Sequence, residues 1–205
     1  MKLAVFGATG GTGKQIVQQA LAQGDAVRVL VRDKAKLAAQ HEQLTVIEGN
    51  VLDRAAVEQT LAGADAVLVS LGNTNNNPNM VVSSGTAVIV EAMQAAGVKR
   101  LIVISSLGVG DSKDQVPFFF KALIATAMRG AFQDKEAQEK LVMASGLDWT
   151  IIRPGGLEDG PATGVYRAGL DRSIGGQVSR ADVAAFALAQ LASDEYLHKT
   201  PAIAQ

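Results

Sequence analysis

Leu3-Ala4-Val5-Phe6-Gly7-Ala8-Thr9-Gly10-Gly11-Thr12-Gly13 is followed directly by Lys14-Gln15-Ile16-Val17-Gln18-Gln19-Ala20-Leu21. The apolar run reads as a buried strand, the glycine-rich segment as a tight turn, and the last stretch as an amphipathic helix. Its glycines stand in a G-x-x-G-x-x-G spacing. Glycine is needed where φ turns positive or where a Cβ would collide with a phosphate. The helix behind the turn aims free N–H groups and the positive end of its dipole at that phosphate. Strand, glycine turn and helix in this order predict a dinucleotide site built on Gly7, Thr9, Gly10, Gly11, Thr12 and Gly13.

The same alternation continues outward. Ala26–Val31 is a second strand, with a short helix over residues 34–39, and Leu44–Glu48 is a third, with a helix over Arg54–Leu61. Asp65-Ala66-Val67-Leu68-Val69 is a fourth strand, Val81–Ala96 the next helix, and Arg100–Ile104 a fifth strand. Strands this short and this continuously apolar are covered on both faces, which means a parallel sheet between helical layers. Right-handed crossovers make it an α/β Rossmann-type doubly wound sheet, ordered 3-2-1-4-5-6, with its crevice between strands one and four.

Beyond residue 105 the pattern loosens. A helical stretch covers residues 117–145, broken near Gly130. Trp149-Thr150-Ile151-Ile152 is a sixth strand, ended sharply by Arg153-Pro154-Gly155-Gly156. Residues 157–179 are glycine-rich, with an edge strand near Val165-Tyr166-Arg167. Ser179-Arg180-Ala181-Asp182 caps a helix reaching about Leu191. Neither linker nor repeat interrupts the chain, and Asn75-Asn76-Asn77 is too short to count as a disordered segment. One domain over residues 1–205 is expected.

Composition narrows the chemistry. The 205 residues include no cysteine, which excludes thiol catalysis, cysteine-ligated zinc and iron–sulfur clusters. A formal net charge of −1 gives no electrostatic reason to bind nucleic acid or an anionic membrane. No run approaches the roughly 18 apolar residues of a membrane span, and no basic segment precedes an apolar one at the N-terminus. A soluble, cytoplasmic protein is expected. His41 and His198 lie in polar surroundings unsuited to a metal, so no metal site is expected.

Strand two ends in Leu30-Val31-Arg32-Asp33-Lys34-Ala35-Lys36, where an NAD-specific fold places an acid on the ribose hydroxyls. Here Arg32 holds the tip and Lys36 lies one helical turn further on. A guanidinium stacks on adenine and binds a 2′-phosphate, which an acid would repel. NADP(H) is the predicted cofactor. Asp33 has two readings: the NAD-type acid, if the register slips by one residue, or the N-cap of the following helix, which is favoured. Asn50, with Val51 beside it, is placed to meet the adenine edge, while Asp53 is read as a helix cap. Leu71 and Gly72 leave room for ribose and pyrophosphate close to the backbone.

Taken together, Gly7–Gly13, the segment from Val29 to Asp33, Gly49-Asn50-Val51-Leu52-Asp53, Ser70-Leu71-Gly72, Ile104-Ser105-Ser106, the run from Ser145 to Gly155 and Ser179-Arg180-Ala181-Asp182-Val183-Ala184 resemble the atypical short-chain dehydrogenase/reductases with an NAD(P)-binding domain, in their flavin and biliverdin reductase branch. The likeness runs almost end to end. It implies NADPH-dependent hydride transfer to a flavin, with a linear tetrapyrrole as a related acceptor. The branch's active-site serine maps to Ser106 and its lysine to Lys135. Ile104, Ser105, Pro154, Gly155 and Gly156 join the implied cofactor contacts. Two departures stand out: Ala131 occupies the place, four before Lys135, where ordinary members carry tyrosine, and Gly155 replaces a histidine.

The first departure has chemical weight. Reducing a ketone builds an alkoxide, which needs a proton or a positive charge at that oxygen, and a Tyr/Lys pair normally provides it. A flavin accepts hydride at N5, delocalises the resulting charge and takes its proton from water, so proximity and stacking suffice. Ala131 therefore argues for a conjugated acceptor. Ser106 is read as a hydrogen-bond partner of the nicotinamide carboxamide or the substrate, or as a proton relay; the other reading is a hydroxyl satisfying backbone at a strand end, with Ser105 pointing the opposite way. Lys135 either reaches the nicotinamide ribose or faces solvent between Asp134 and Glu136.

Phe118-Phe119-Phe120, with Leu123, Met128 and Phe132, forms an apolar stretch. Successive helical residues turn by about 100°, so at least one phenylalanine must be exposed, although core packing is expected to take most of the stretch. Trp149 is expected in the core. The leading function is an NADPH-dependent flavin or biliverdin reductase, with a flavin, tetrapyrrole or quinone as its small-molecule partner, in a monomer or weak homodimer. The alternative is a non-catalytic NADP(H)-binding regulator. A sugar-nucleotide epimerase or dehydratase carries little weight, because 205 residues are short for the substrate lobe such enzymes add after the cofactor fold.

Overall fold

The computed structural model describes residues 1–37, 39–72 and 80–205, so Asn75-Asn76-Asn77 lies outside the described residues. In chain order the elements are β1 (Lys2–Phe6), α1 (Gly11–Ala22), β2 (Ala26–Val31), β3 (Leu44–Glu48), α2 (Arg54–Leu61), β4 (Ala66–Val69), α3 (Val81–Ala96), β5 (Arg100–Ile104), α4 (Phe118–Ala125), α5 (Arg129–Met143), β6 (Asp148–Pro154), β7 (Gly156–Glu158), β8 (Arg167–Gly169), β9 (Gln177–Ser179), α6 (Arg180–Ala189) and β10 (Ala202–Ala204).

β1 sits in mid-sheet because all four of its apolar residues are fully buried, so water can wet neither face. They alternate between two cores: Leu3 and Val5 pack beneath α1 and α6, while Ala4 and Phe6 pack beneath α2, α3 and α5. Fully burying each large side chain of this kind contributes about 1.5–3 kcal/mol. The sheet order is β3-β2-β1-β4-β5-β6-β10-β8, so the doubly wound arrangement holds and two short strands extend it beyond β6. Every pair from β3 to β10 is parallel; only β8 runs antiparallel, against β10.

The second half departs from expectation in several places. The helical stretch breaks at residues 126–128, and Gly130 lies inside α5. Thr126 leaves helical geometry at φ −114°, ψ −93°, and its hydroxyl donates back to the Ala122 carbonyl at 2.8 Å. β6 does not end at Ile152 but runs through Pro154, because the chain near β10 supplies acceptors: the Arg153 N–H donates to the Pro201 carbonyl at 2.8 Å. The edge strand begins at Arg167, and its Tyr166 neighbour packs edge-on against Phe186. The short helix over residues 34–39 shrinks to a 3-10 turn, Lys34–Lys36.

α4 overturns the core reading of the phenylalanine stretch. Phe118 and Phe119 are 85% and 74% exposed, and only Phe120 turns inward, edge-on to buried Phe132 at 6.2 Å. Trp149 is buried as expected, against His198.

α3 begins without a cap of its own, since Met80 before it has φ +55° and makes no side-chain cap. The cap comes from another helix. Asp134 of α5, fully buried, accepts from the Val82 and Ser83 N–H groups at 3.0 and 2.8 Å. Replacing Asp134 by alanine is expected to destabilise the fold by about 2 kcal/mol in urea denaturation, the upper end for a lost helix cap. Asparagine, which keeps one acceptor oxygen, is expected to lose about half as much. Equal stability of Asp134→Ala and wild type would remove the cap from this account.

Candidate functional site

The C-terminal ends of β1 to β5 open on one cleft of about 430 Å³. Gly7, Thr9, Gly10, Gly11 and Thr12 form one wall. Gly7 has φ +89°, and a Cβ there would lie 2.3 Å from the Ser70 carbonyl oxygen, so the turn demands glycine. Gly13 is not among the residues that line the cleft. It is buried against the turn, where a Cβ would come within 2.1 Å of the Gly7 carbonyl oxygen. Its task is to let α1 close on the strand end. Gly10 has an ordinary φ of −75° and caps α1 with no side-chain bond, and α1 has no acid in its first turn. The helix therefore presents its N-terminal N–H groups and positive dipole end unneutralised.

Arg32 lines the cleft from the end of β2. Lys36 does not; it stands exposed, paired with Asp33 at 3.8 Å. Asp33 takes its favoured role, accepting from the Ala35 N–H at 3.0 Å as a cap. Asn50 and Val51 line the cleft, and the side-chain Oδ1 of Asn50 accepts from the Leu52 N–H at 3.0 Å. Asp53 caps α2 through the Ala55 N–H, also at 3.0 Å. Leu71 and Gly72 complete this side.

The far wall carries Ile104, Ser105, Ser106 and Lys135. Lys135 is half-buried and inside the cleft, not in solvent, and its ammonium donates to the Ile104 carbonyl at 3.1 Å. Burial lowers its pKa to about 8, against the opposing pull of the Glu139 and Asp134 carboxylates. The Ser106 hydroxyl donates to the Leu107 carbonyl at 3.1 Å, while that of Ser105 turns away and donates to Glu139 Oε1 at 2.5 Å. Glu139 also accepts from Arg153 Nε at 3.1 Å and Nη2 at 2.7 Å, and Arg153 Nη1 donates to Asp111 at 2.5 Å. Glu139 and Arg153 are 2% and 3% exposed, a dry ion pair behind the wall.

Pro154, Gly155 and Gly156 lie outside the lining. Their backbones are engaged elsewhere: the Pro154 carbonyl accepts from the Leu107 N–H, and the Gly155 and Gly156 N–H groups donate to Ile203 and Gly176. Leu157, just beyond them, does line the cleft, as does Arg180 at the start of α6. Sequence reasoning missed both. Arg180 had one visible signal, a basic side chain directly after a helix cap, but its approach to Gly11 spans most of the chain and has no local signature. Among the described residues, no group of three or more His, Asp or Glu could hold a metal, and no helix is long and apolar enough to cross a membrane.

Comparison with known proteins agrees with this geometry. A chloroplastic protein of Arabidopsis thaliana is 33% identical over 208 residues, covering 95% of this chain and 73% of its own. A Bacillus subtilis protein named as an uncharacterized sugar epimerase is 32% identical over 201 residues, with 93% and 88% covered. Among solved structures, ChuY, an anaerobilin reductase from Escherichia coli O157:H7, superposes with a TM-score of 0.84 at 27% identity over 99% of this chain and 96% of that one. Residues 7–194 match the model of the NAD(P)H-binding family. The chain belongs to that family, as an NAD(P)H-dependent oxidoreductase.

Proposed function

We propose that the protein transfers hydride from NADPH to a flat conjugated acceptor, a flavin in the first place and a linear tetrapyrrole or quinone as related classes. The observation that carries this reading is what the cleft lacks. Among the described residues, its lining holds no tyrosine, histidine, aspartate or glutamate, and Ala131 stands outside it. A ketone would be left without the tyrosine that normally protonates its alkoxide, with only Lys135 and Ser106 at hand. A ring system that disperses the incoming charge would not need it.

The chain's own groups fit the nucleotide. The turn at Gly7, Thr9, Gly10, Gly11 and Thr12, ahead of an uncapped helix, suits a diphosphate. Arg32 suits a 2′-phosphate, and Asn50 and Val51 the adenine edge. Leu71, Gly72, Ile104 and Ser105 border the path of the ribose and nicotinamide. The cofactor supplies hydride when bound. Lys135 holds the nicotinamide ribose with its ammonium, and Ser106 orients the carboxamide or a water near the acceptor. The likeness to a reductase of a bilin supports the same acceptor class.

Three measurements check this. Loss of NADPH absorbance is expected with FMN, riboflavin, biliverdin or a quinone, and none with a nucleotide sugar; tight NADPH binding without turnover on any acceptor would favour the regulator reading. Arg32→Ala is expected to weaken NADPH about tenfold or more, the scale of one charge-assisted hydrogen bond, and NADH little. Equal losses would remove Arg32 from 2′-phosphate recognition. Finally, kcat/KM reports free-enzyme groups. It is expected to fall as pH rises through about 8, where Lys135 loses its proton. Lys135→Met is expected to be slower and to lack that inflection.

A further inference from the structure

We infer that Arg180 is a diphosphate-gripping residue of the cleft, held off the ligand by Asp159 until the nucleotide arrives; this rests on the cleft being the dinucleotide site. Arg180 opens α6 directly after its cap, Ser179, whose hydroxyl accepts from the Asp182 N–H at 2.9 Å. From there the side chain lines the cleft and crosses the first residue of α1. A Cβ built on Gly11 would lie 2.6 Å from Arg180 Cδ and 2.7 Å from its Nε. The root of the guanidinium therefore stands over Gly11 itself. This is the end of the cleft where a diphosphate belongs, away from Arg32 at the tip of β2.

The head group is engaged only lightly. Arg180 Nη1 donates to Asp159 Oδ1 at 2.8 Å, but the Asp159 side chain is 92% exposed and that of Arg180 only 27%. An ion pair with one partner almost wholly in water contributes little. A diphosphate brings two negative charges and several acceptor oxygens to a planar fork of donors, which is the stronger match. The nearby carboxylate of Asp182 does not compete, because it is buried and already accepts from the Thr163 and Gly164 N–H groups and from Ser179. Those bonds also anchor the segment that carries Asp159. On its other side β7 is paired with β9. Arg180 can thus leave Asp159 without unmooring the loop.

The two variants Arg180→Gln and Asp159→Asn separate this from a mere tether, since both break the same ion pair. Dissociation constants for NADPH and NADH, titrated on the full chain, are the readout. Arg180→Gln is expected to weaken both nucleotides by the same factor, about tenfold. Asp159→Asn is expected to tighten both, roughly two- to threefold, by removing the competitor. If both variants left affinity unchanged, or shifted it in the same direction, Arg180 would be a loop tether and the inference would fall. A loss confined to NADPH would place Arg180 on the 2′-phosphate and overturn the diphosphate assignment. Binding of neither nucleotide by the wild type would instead sink the cleft reading beneath it.

Discussion

The fold turns on a close approach of backbone to backbone that tolerates no side chain. A Cβ on Gly7 would meet the Ser70 carbonyl oxygen at 2.3 Å, and one on Gly13 would meet the Gly7 carbonyl oxygen at 2.1 Å. Neither obstacle is a flexible side chain that could swing aside. The ends of β1 and β4 and the start of α1 are thereby fixed together at the point where the strand order reverses. The crevice and the exposed N-terminus of α1 both follow, because the helix can start this near the strand end only if its third residue has no Cβ. Gly10 and Gly11, by contrast, are not demanded by the backbone around them; their missing side chains keep the cleft open.

The opposite wall owes its shape to α5, which uses residues four apart for two different jobs. Asp134 and Gln138 face α3, the first capping it and the second donating to Thr86 Oγ1 at 2.9 Å. Lys135 and Glu139 face the sheet. Glu139 and Arg153 together are no large net source of stability, since desolvating both charges offsets most of their attraction. Removing Arg153 would leave the Glu139 carboxylate buried with only the Ser105 hydroxyl, at a cost of about 3–5 kcal/mol, whereas Arg153 without Glu139 would keep Asp111. With Ser105 claimed by Glu139, Ser106 is the hydroxyl left on the cleft side.

Local pattern carried the first half of the chain. The bounds of β2, β3, α2, α3 and β5 coincide with the sequence reading, since each is a mainly apolar strand or an amphipathic helix. What escaped was whatever depends on distant partners. β7, β9 and β10 are three residues each, too short for a period, and exist because another backbone lies alongside. The resemblance implies cofactor contacts at the glycines after Pro154; Gly155 makes room for Gly176, whose carbonyl oxygen a Cβ would approach to 2.3 Å. Lys36 sat at a plausible helical spacing from Arg32, but the turn it belongs to is a single 3-10 turn that ties it to Asp33. Phe118 and Phe119 looked like core because hydrophobicity alone does not say which face of α4 a neighbour covers.

Charge gives the cleft a character that bulk composition conceals. Among the described residues its lining has three cationic side chains, Arg32, Lys135 and Arg180, and no carboxylate, in a chain of net charge −1. Long-range steering by the whole molecule is therefore weak, and salt screens beyond about 8–10 Å in any case. Recognition of an anion must be local, decided once phosphates are within reach of the walls. The three cations differ in kind. Arg32 and Arg180 keep their charge at any working pH, so a grip built on them is constant. Lys135, desolvated to a pKa of about 8, is the member of the set whose charge changes near neutrality. It is also the one on the wall with Ser106, away from the α1 turn. The division places fixed charge at the α1 turn and the tip of β2, and adjustable charge on the wall that carries Ser106.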